Sequence, residues 1–249
     1  MDKTGSFSVV IPVYNAHDQF IKTYESVIRQ KNVEVEVIAV DGGSEDTSIE
    51  YYEALSAQDK NFYYIYEKDN GIYDAMNKGM LRAHNAYCIF LGAGDLLVTD
   101  ETLFSVSKEI QRSTPDIVYG YTIMRGEDTE RIYKRKFNST YPFRADPVSH
   151  QAVLSKRELL CEYPFDIDYK IAADQDWLMH MYMLKKKFVY IDLPITIYML
   201  DGISASAHGH KRGQQEIRQI HKKYYPLLYY VHDLLRKING HFFKINRNK

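Results

Sequence analysis

Tyr87-Cys-Ile-Phe-Leu-Gly-Ala-Gly-Asp95 is an apolar run that stops on a lone carboxylate. Its apolar part is short and ends in glycines, the pattern of a strand buried on both faces. Two more apolar runs also end on polar loop residues: Phe7 to Val13 before Tyr14-Asn15, and Val35 to Val40 before Asp41-Gly-Gly-Ser44. In an open α/β sheet, ligands bind in the crevice beyond the carboxyl ends of the strands. Asp41 and Asp95 are therefore the first places to look for function.

Outward from this run, strand signals at 7–13, 35–40, 62–66 and 87–91 alternate with helical apolar spacing at 18–30, 46–57 and 72–83. This alternation predicts βαβ units around a parallel sheet, with right-handed crossovers covering both faces. Ser44 and Asp46 are the expected caps of the second helix. A fourth helix at 101–112, capped by Asp100, leads to a strand at 116–124 and a charged hairpin or flap at 125–139. A strand at 150–154 and a short helix follow, then a helix beginning within Ala172-Ala-Asp-Gln-Asp-Trp177 and strands at 187–191 and 195–199. The expected organisation is one α/β domain over 1–209, whose first half (1–100) has a nucleotide-binding outline, and a helical tail over 210–249.

The chain has 249 residues, 45% of them hydrophobic, enough to bury a substantial core. It shows no N-terminal export signal and no apolar stretch near the roughly 20 residues that span a bilayer, so a cytoplasmic protein is expected. Cys88 and Cys161 suit reduced core thiols and offer no metal-ligand spacing. The net charge of -1 hides an asymmetry: His210 to Lys249 carry ten Lys and Arg against Glu216 and Asp233, a net of +8. In this tail Tyr224, Tyr225, Tyr229, Tyr230, Phe242 and Phe243 are interleaved with Lys222, Lys223, Arg236, Lys237 and Lys244. The mixture fits an amphipathic helix over 215–249 in peripheral contact with the inner face of the cytoplasmic membrane, and equally a helix packed on the protein's own core. Nucleic acid is not expected as a partner, because no recognisable module accompanies the charge.

The strand-end residues suggest chemistry, each beside a purely structural alternative. Tyr14 can stack on a base, the Asp41 carboxylate can accept a ring N–H, and Gly42 and Gly43 allow close backbone approach; a tight strand-to-helix turn explains the same residues. No Gly-x-Gly-x-x-Gly and no Gly-Lys-Ser/Thr follows the first strand, which demotes dinucleotide and phosphate-loop folds. Asp74 and Lys78 lie one helical turn apart and can pair, while Asp74 and Asn77 could hold a sugar hydroxyl. Asp95, after Gly-Ala-Gly, has room beside it for a diphosphate and a Mg or Mn ion, which commonly uses one or two carboxylates next to substrate phosphates. Asp174 and Asp176 open a helix, as caps or as a general base for an attacking hydroxyl.

Ser8-Val-Val-Ile-Pro-Val-Tyr-Asn15, Val40-Asp-Gly-Gly-Ser-Glu-Asp46, Asn70-Gly-Ile-Tyr-Asp-Ala-Met-Asn-Lys-Gly79 and Phe90-Leu-Gly-Ala-Gly-Asp95 together strongly resemble family 2 glycosyltransferases of the GT-A fold. His150-Gln-Ala152 and Ala173-Asp-Gln-Asp176 extend the resemblance to about residue 200, and the likeness is to bacterial enzymes of capsule, exopolysaccharide and colanic-acid-type assembly. The resemblance implies a GT-A-like, mostly parallel mixed sheet flanked by helices, with 101–209 as the acceptor-side half. It implies inverting transfer from a nucleotide-sugar, a UDP-sugar in the usual case, to a hydroxyl of a lipid-linked glycan, with Mg or Mn. Pro12, Tyr14, Asn15, Asp41, Gly42, Asp74, Asn77, Lys78 and Gly94 would line the nucleotide site, Asp95 would hold the metal, and Asp174 would be the base. His150, Asp176 and Trp177 would face the acceptor.

Three positions depart from the family pattern. Gly94 and Gly42 stand where second carboxylates are common, and Met76 stands where an Arg is frequent. Diphosphate charge would then fall to Lys78 or to the loop with His208, His210 and Lys211. A nucleotide-sugar-binding protein without catalysis, or a nucleotidyltransferase, remains as an alternative.

Overall fold

The computed structural model describes residues 5–136, 148–199, 207–227 and 229–231. Strands β1 (Ser6–Val13), β2 (Glu34–Asp41), β3 (Phe62–Tyr66) and β4 (Tyr87–Phe90) form a parallel block in the order β3-β2-β1-β4. Beyond β4 the sheet turns mixed: β8 (Val153–Lys156) runs antiparallel to β4 and to β6 (Ile117–Arg125), and β6 runs parallel to β9 (Phe188–Met199). The two-residue β5 (Leu96–Leu97) pairs with β9, and β7 (Glu130–Tyr133) forms a hairpin with β6. The nine strands among the described residues make one continuous sheet. Its carboxyl-end crevice is the one expected from the three apolar runs.

The period-two alternation along the strands sorts the core into two layers. Phe7, Val9, Ile11, Val13, Val37 and Ala39 pack with Phe20, Tyr24 and Val27 of α1 (His17–Ile28), Tyr52 of α2 (Ser48–Gln58) and Leu103 and Val106 of α4 (Thr102–Ser113). Val10, Ile38, Val40, Cys88 and Phe90 point the other way, onto α3 (Ile72–Arg82), α5 (Arg157–Glu162) and α6 (Ala173–Met183). Helices thus cover both faces, and the two cysteines are free thiols.

Some local expectations are corrected. Thr47, not Ser44 or Asp46, occupies the cap position of α2; the Ser44 hydroxyl is drawn to Asp41, and Asp46 bonds the amides of Ser48 and His17. Asp100 does not cap α4, whose cap position is Glu101; its carboxylate pairs with Arg29 and Lys31. The strand expected from 150 opens as a single 3-10 turn, His150–Ala152, and extends only from Val153. Strands 187–191 and 195–199 are one strand, because the β6–β9 ladder absorbs Pro194 as an irregularity beside Gly120 instead of ending there.

Helix α7 (Ala207–Tyr224) carries the start of the basic tail and packs on the domain. Ile220, with Ile217, Tyr224 and Tyr225 beside it, closes a small core against Ala172 and Met179 of the α6 region. Glu216 accepts the backbone amides of Lys170, Ile171 and Ala172 at 2.8–2.9 Å, and Lys223 Nζ donates to both Asp176 oxygens at 2.9 Å. Up to Tyr225, therefore, the tail is a helix packed on its own domain; most of the segment expected to touch a membrane lies beyond the described residues. No helix among the described residues is long and apolar enough to cross a membrane.

Candidate active site

On the side of the crevice built by β1, β2 and β3, Asp41 is fully buried and spent on its own turn. Oδ1 accepts the amides of Gly43 (3.0 Å) and Ser44 (2.6 Å), and Oδ2 accepts the hydroxyls of Ser44 (2.9 Å) and Tyr52 (3.2 Å). A carboxylate this well satisfied organises its loop. Ser44 ties the same loop to β1, since its hydroxyl accepts the Asn15 amide at 2.8 Å, and Asn15 Oδ1 accepts the Glu45 amide at 2.9 Å. The result is a rigid ledge from which the Tyr14 ring projects, 64% exposed, beyond half-buried Pro12.

Gly42 lies on that ledge, and its missing side chain has a reason. A Cβ there would stand 2.6 Å from Asp69 Oδ2 and 3.5 Å from the Tyr14 ring. The loop after β3 thus delivers the Asp69 carboxylate to the ground that a second Asp would occupy. Asp69 immediately precedes the Asn70–Gly79 motif and is absent from the sequence-based expectations. The only signal was its place at the end of a strand-to-helix loop.

The α3 residues are employed differently from the expectation. Asp74 and Lys78 do pair, at 3.5 Å, but Asp74 also accepts the Asn70 amide at 2.9 Å, and Lys78 is drawn to Glu67 at 2.8 Å and to the Lys68 carbonyl at 3.1 Å. Asn77 gives both ends of its amide to the backbone of Phe165, at 2.9 Å each. These three side chains hold loops together. The α3 residue that reaches across the crevice is Tyr73, whose hydroxyl donates to Asp174 Oδ1 at 3.0 Å and lies 2.8 Å from the Ile171 carbonyl. Burial and the Asp174 charge push this phenol well above its ordinary range, so it stays a donor. A buried tyrosine needs a partner for its hydroxyl, and that rule is the signal that could have flagged it.

Asp174 is the meeting point of the other side. It is 8% exposed; Oδ1 accepts Tyr73 and the Gln175 amide, and Oδ2 lies 3.1 Å from His150 Nδ1. Burial pulls the His150 pKa down, but the hydrogen bond to Asp174 and the charges of Asp174 and Asp95 outweigh it and hold the imidazole above its usual 6.5. His150 and Asp174 are thus brought together. Asp176 and Trp177 are not: Asp176 turns to Lys223 on α7, and Trp177 is core, its indole N–H donating to the Tyr163 carbonyl at 2.6 Å. The expected basic loop with His208, His210 and Lys211 is instead the start of α7; of the three only Lys211 has a described side chain, and it lines a groove with Asp168, Arg212 and Gln215.

Asp95 is 4% exposed. Oδ2 accepts the Gly92 amide at 2.8 Å, and Gln151 and the Met199 amide also bond the carboxyl. Burial pushes its pKa up to about 6, since these bonds and His150 offset only part of the desolvation. Gly94 beside it adopts φ +104°, a conformation closed to an L side chain, although a Cβ would meet nothing nearer than Gln19 at 3.7 Å. Backbone geometry, not lack of space, excludes a second carboxylate at this position. Among the described residues no group of three or more His, Cys, Asp or Glu is arranged to hold a metal. What Asp95 fits is an ion completed by substrate phosphate and water, for which one buried, under-compensated carboxylate is a sufficient protein contribution.

A family model described as glycosyl transferase family 2 matches residues 8–180, a span that contains the Asp41 ledge, Tyr73, Asp95, His150 and Asp174. The chain belongs to glycosyl transferase family 2. This glycosyltransferase is 32% identical over 174 residues to a PGL/p-HBAD biosynthesis glycosyltransferase of Mycobacterium tuberculosis, covering 69% of this chain and 67% of that one. It is 26% identical over 217 residues to the glycosyltransferase GlyG of Streptococcus pneumoniae, covering 77% and 69%. Among solved structures, S. aureus TarS in complex with UDP-GlcNAc superposes with a TM-score of 0.69 at 19% identity, over 88% of this chain and 67% of that one. The mannosyltransferase PcManGT of Pyrobaculum calidifontis, in complex with GDP-Man and Mn2+, gives 0.68 at 17% identity over 87% and 63%. These two likenesses establish the GT-A-type fold.

Proposed function

We propose that this glycosyltransferase moves a sugar, with inversion, from a UDP-sugar to a hydroxyl group of a lipid-linked glycan acceptor, with Asp174 as general base. The observation that carries the reading is the convergence of Asp174, His150, Tyr73 and Asp95 from four separate elements on one crevice. The base accepts the acceptor hydroxyl proton as that oxygen bonds to the anomeric carbon, and the bond from that carbon to the nucleotide diphosphate breaks on the opposite face. Tyr73 and His150 fix the carboxylate, so one lone pair can be aimed at the incoming hydroxyl. Tyr14 offers a stacking face for the base. Asp95 would hold the Mg or Mn ion, which when bound supplies charge stabilisation to the departing diphosphate.

The alternative of a binding protein without catalysis required a solvent-facing Asp174, and at 8% exposure with three hydrogen-bonding neighbours nothing favours it. The test is a screen of UDP-GlcNAc, UDP-glucose, UDP-galactose and GDP-mannose for hydrolysis with Mn, which needs no acceptor. Turnover that depends on Mn and falls about 10²- to 10⁴-fold to a residual rate in Asp174→Asn is expected; turnover unchanged by a chelator would remove the metal from the scheme.

Peripheral contact with the inner membrane face is part of the same reading. It is supported by the exposed Leu227, Tyr230 and Val231 and by the basic residues that follow them in sequence. Reversing Arg236, Lys237 and Lys244 to Glu should abolish binding to phosphatidylglycerol vesicles at low salt. Unaltered binding would disprove the contact.

A further inference from the structure

Helix α7 lies outside the family match, which ends at residue 180, yet it grips the turn that carries Asp174. We propose that Glu216 of α7 is a positioning residue for that base; the inference rests on the reading of Asp174 given above. A helix start leaves backbone amides without partners, and they attract an anion. The cap position of α6 is Ala172, which has no side-chain acceptor to offer. Glu216, from another element, binds the stretch that leads into that start: Oε1 accepts the Lys170 amide at 2.9 Å, and Oε2 accepts those of Ile171 at 2.8 Å and of the cap residue Ala172 at 2.9 Å. Arg212 Nε adds a fourth donor at 2.9 Å. Burial alone would raise this carboxyl, but the three amides and Arg212 reverse the direction and keep it ionised.

The grip has a counterpart on the opposite side. Tyr73 lies 2.8 Å from the Ile171 carbonyl and donates to Asp174 itself, so both backbone groups of Ile171 are held, one from α7 and one from α3. Only Ala173 separates this clamped stretch from Asp174. The second α7 contact, Lys223 with Asp176, is 47% exposed on the lysine side and solvent-screened, so it is the weaker of the two. Glu216, 6% exposed and bonded by four donors, sets where the turn sits.

Glu216→Gln tests this, because the amide nitrogen of Gln would face backbone donors where an oxygen now accepts them. The full-length variant should lose about 10- to 100-fold in kcat for Mn-dependent hydrolysis of the donor that the wild type turns over, with its Kd for UDP within about twofold. In an Asp174→Asn background the same change should lower the residual rate less than about twofold, because the group it positions is gone. Glu216→Asp keeps the charge one methylene back and should fall between; it decides the matter should Glu216→Gln not fold. Wild-type kcat in these variants, an equal loss in the Asp174→Asn background, or a parallel rise in the UDP Kd would overturn the role of Glu216 alone. Wild-type turnover by Asp174→Asn itself would overturn the base assignment first, and this inference with it.

Discussion

The two walls of the crevice are built in opposite ways. On the donor wall Asp41 is satisfied by Gly43, Ser44 and Tyr52, all within eleven residues of it, and the exposed Tyr14 stands on the ledge they form. On the acceptor wall Asp174 is held by Tyr73, 101 residues away, and by His150, 24 residues away, and its turn is held by Glu216, 44 to 46 residues away. The first wall seats its carboxylate within its own loop, and Asn15 and Ser44, 29 residues apart, tie that loop to β1. The other is made by tertiary contacts and can be misaligned without unfolding anything.

The sharpest way to break this contrast is Asp174→Ala. Loss of a general base costs about 10²- to 10⁴-fold in turnover, while the UDP Kd should not move. A UDP affinity that fell together with turnover would mean that the walls are not separate.

Asp95, at the floor between the walls, links them through pH. Its folded pKa of about 6 lies above the ordinary 3.8, so its contribution to stability is fully present below pH 3.8 and is lost as pH rises through 6. The two-unit shift corresponds to about 3 kcal/mol. Asp95→Asn should therefore be inactive yet melt several degrees higher than the wild type at pH 8 in chelator, and the gap should narrow when Mn is added. If the variant keeps the wild type's loss of stability between pH 4 and pH 6, Asp95 is not the group responsible.

Tyr14→Ala probes the donor wall alone. Removing a base-stacking ring costs about 1–3 kcal/mol of affinity, so UDP should bind roughly 5- to 150-fold more weakly. Because Tyr14 is 64% exposed, the melting temperature should hardly change, and calorimetry paired with thermal unfolding checks both outcomes. The smallest effect belongs to Lys223→Met. The screened ion pair it removes is worth at most about 1 kcal/mol, so kcat should stay within about threefold; a larger loss would shift the weight of the α7 grip from Glu216 to Lys223.

How much of this could be read from the residues follows the same division. The parallel block, the two helical layers and the crevice at the strand ends follow from period-two and period-3.6 patterns in contiguous residues, and β1 to β4 with α1 to α4 lie close to where those patterns put them. The pairing of Asp74 with Lys78 is likewise local. What the pattern could not reveal is where a polar side chain spends its hydrogen bonds. Asp41 and Asn77 have the right type and place for ligand contact, yet both are consumed by backbone groups. Asp176, two helical positions from Asp174, faces away from it towards α7, while Trp177, three positions on, is drawn into the core, its indole N–H spent on the Tyr163 carbonyl. Tyr73 and Glu216 went unassigned because the groups they bond on the stretch 170–174 are brought to them only by tertiary packing.

That Glu216 reaches back to Lys170 also bears on the order in which the molecule is made. The donor wall needs only residues already present in the first half of the chain, and it can close while synthesis continues. The turn carrying Asp174 emerges later and has no anchor on that side until α7 follows it. A nascent chain would then form the Asp41 ledge first, and the turn that carries Asp174 gains its Glu216 anchor only when α7 follows.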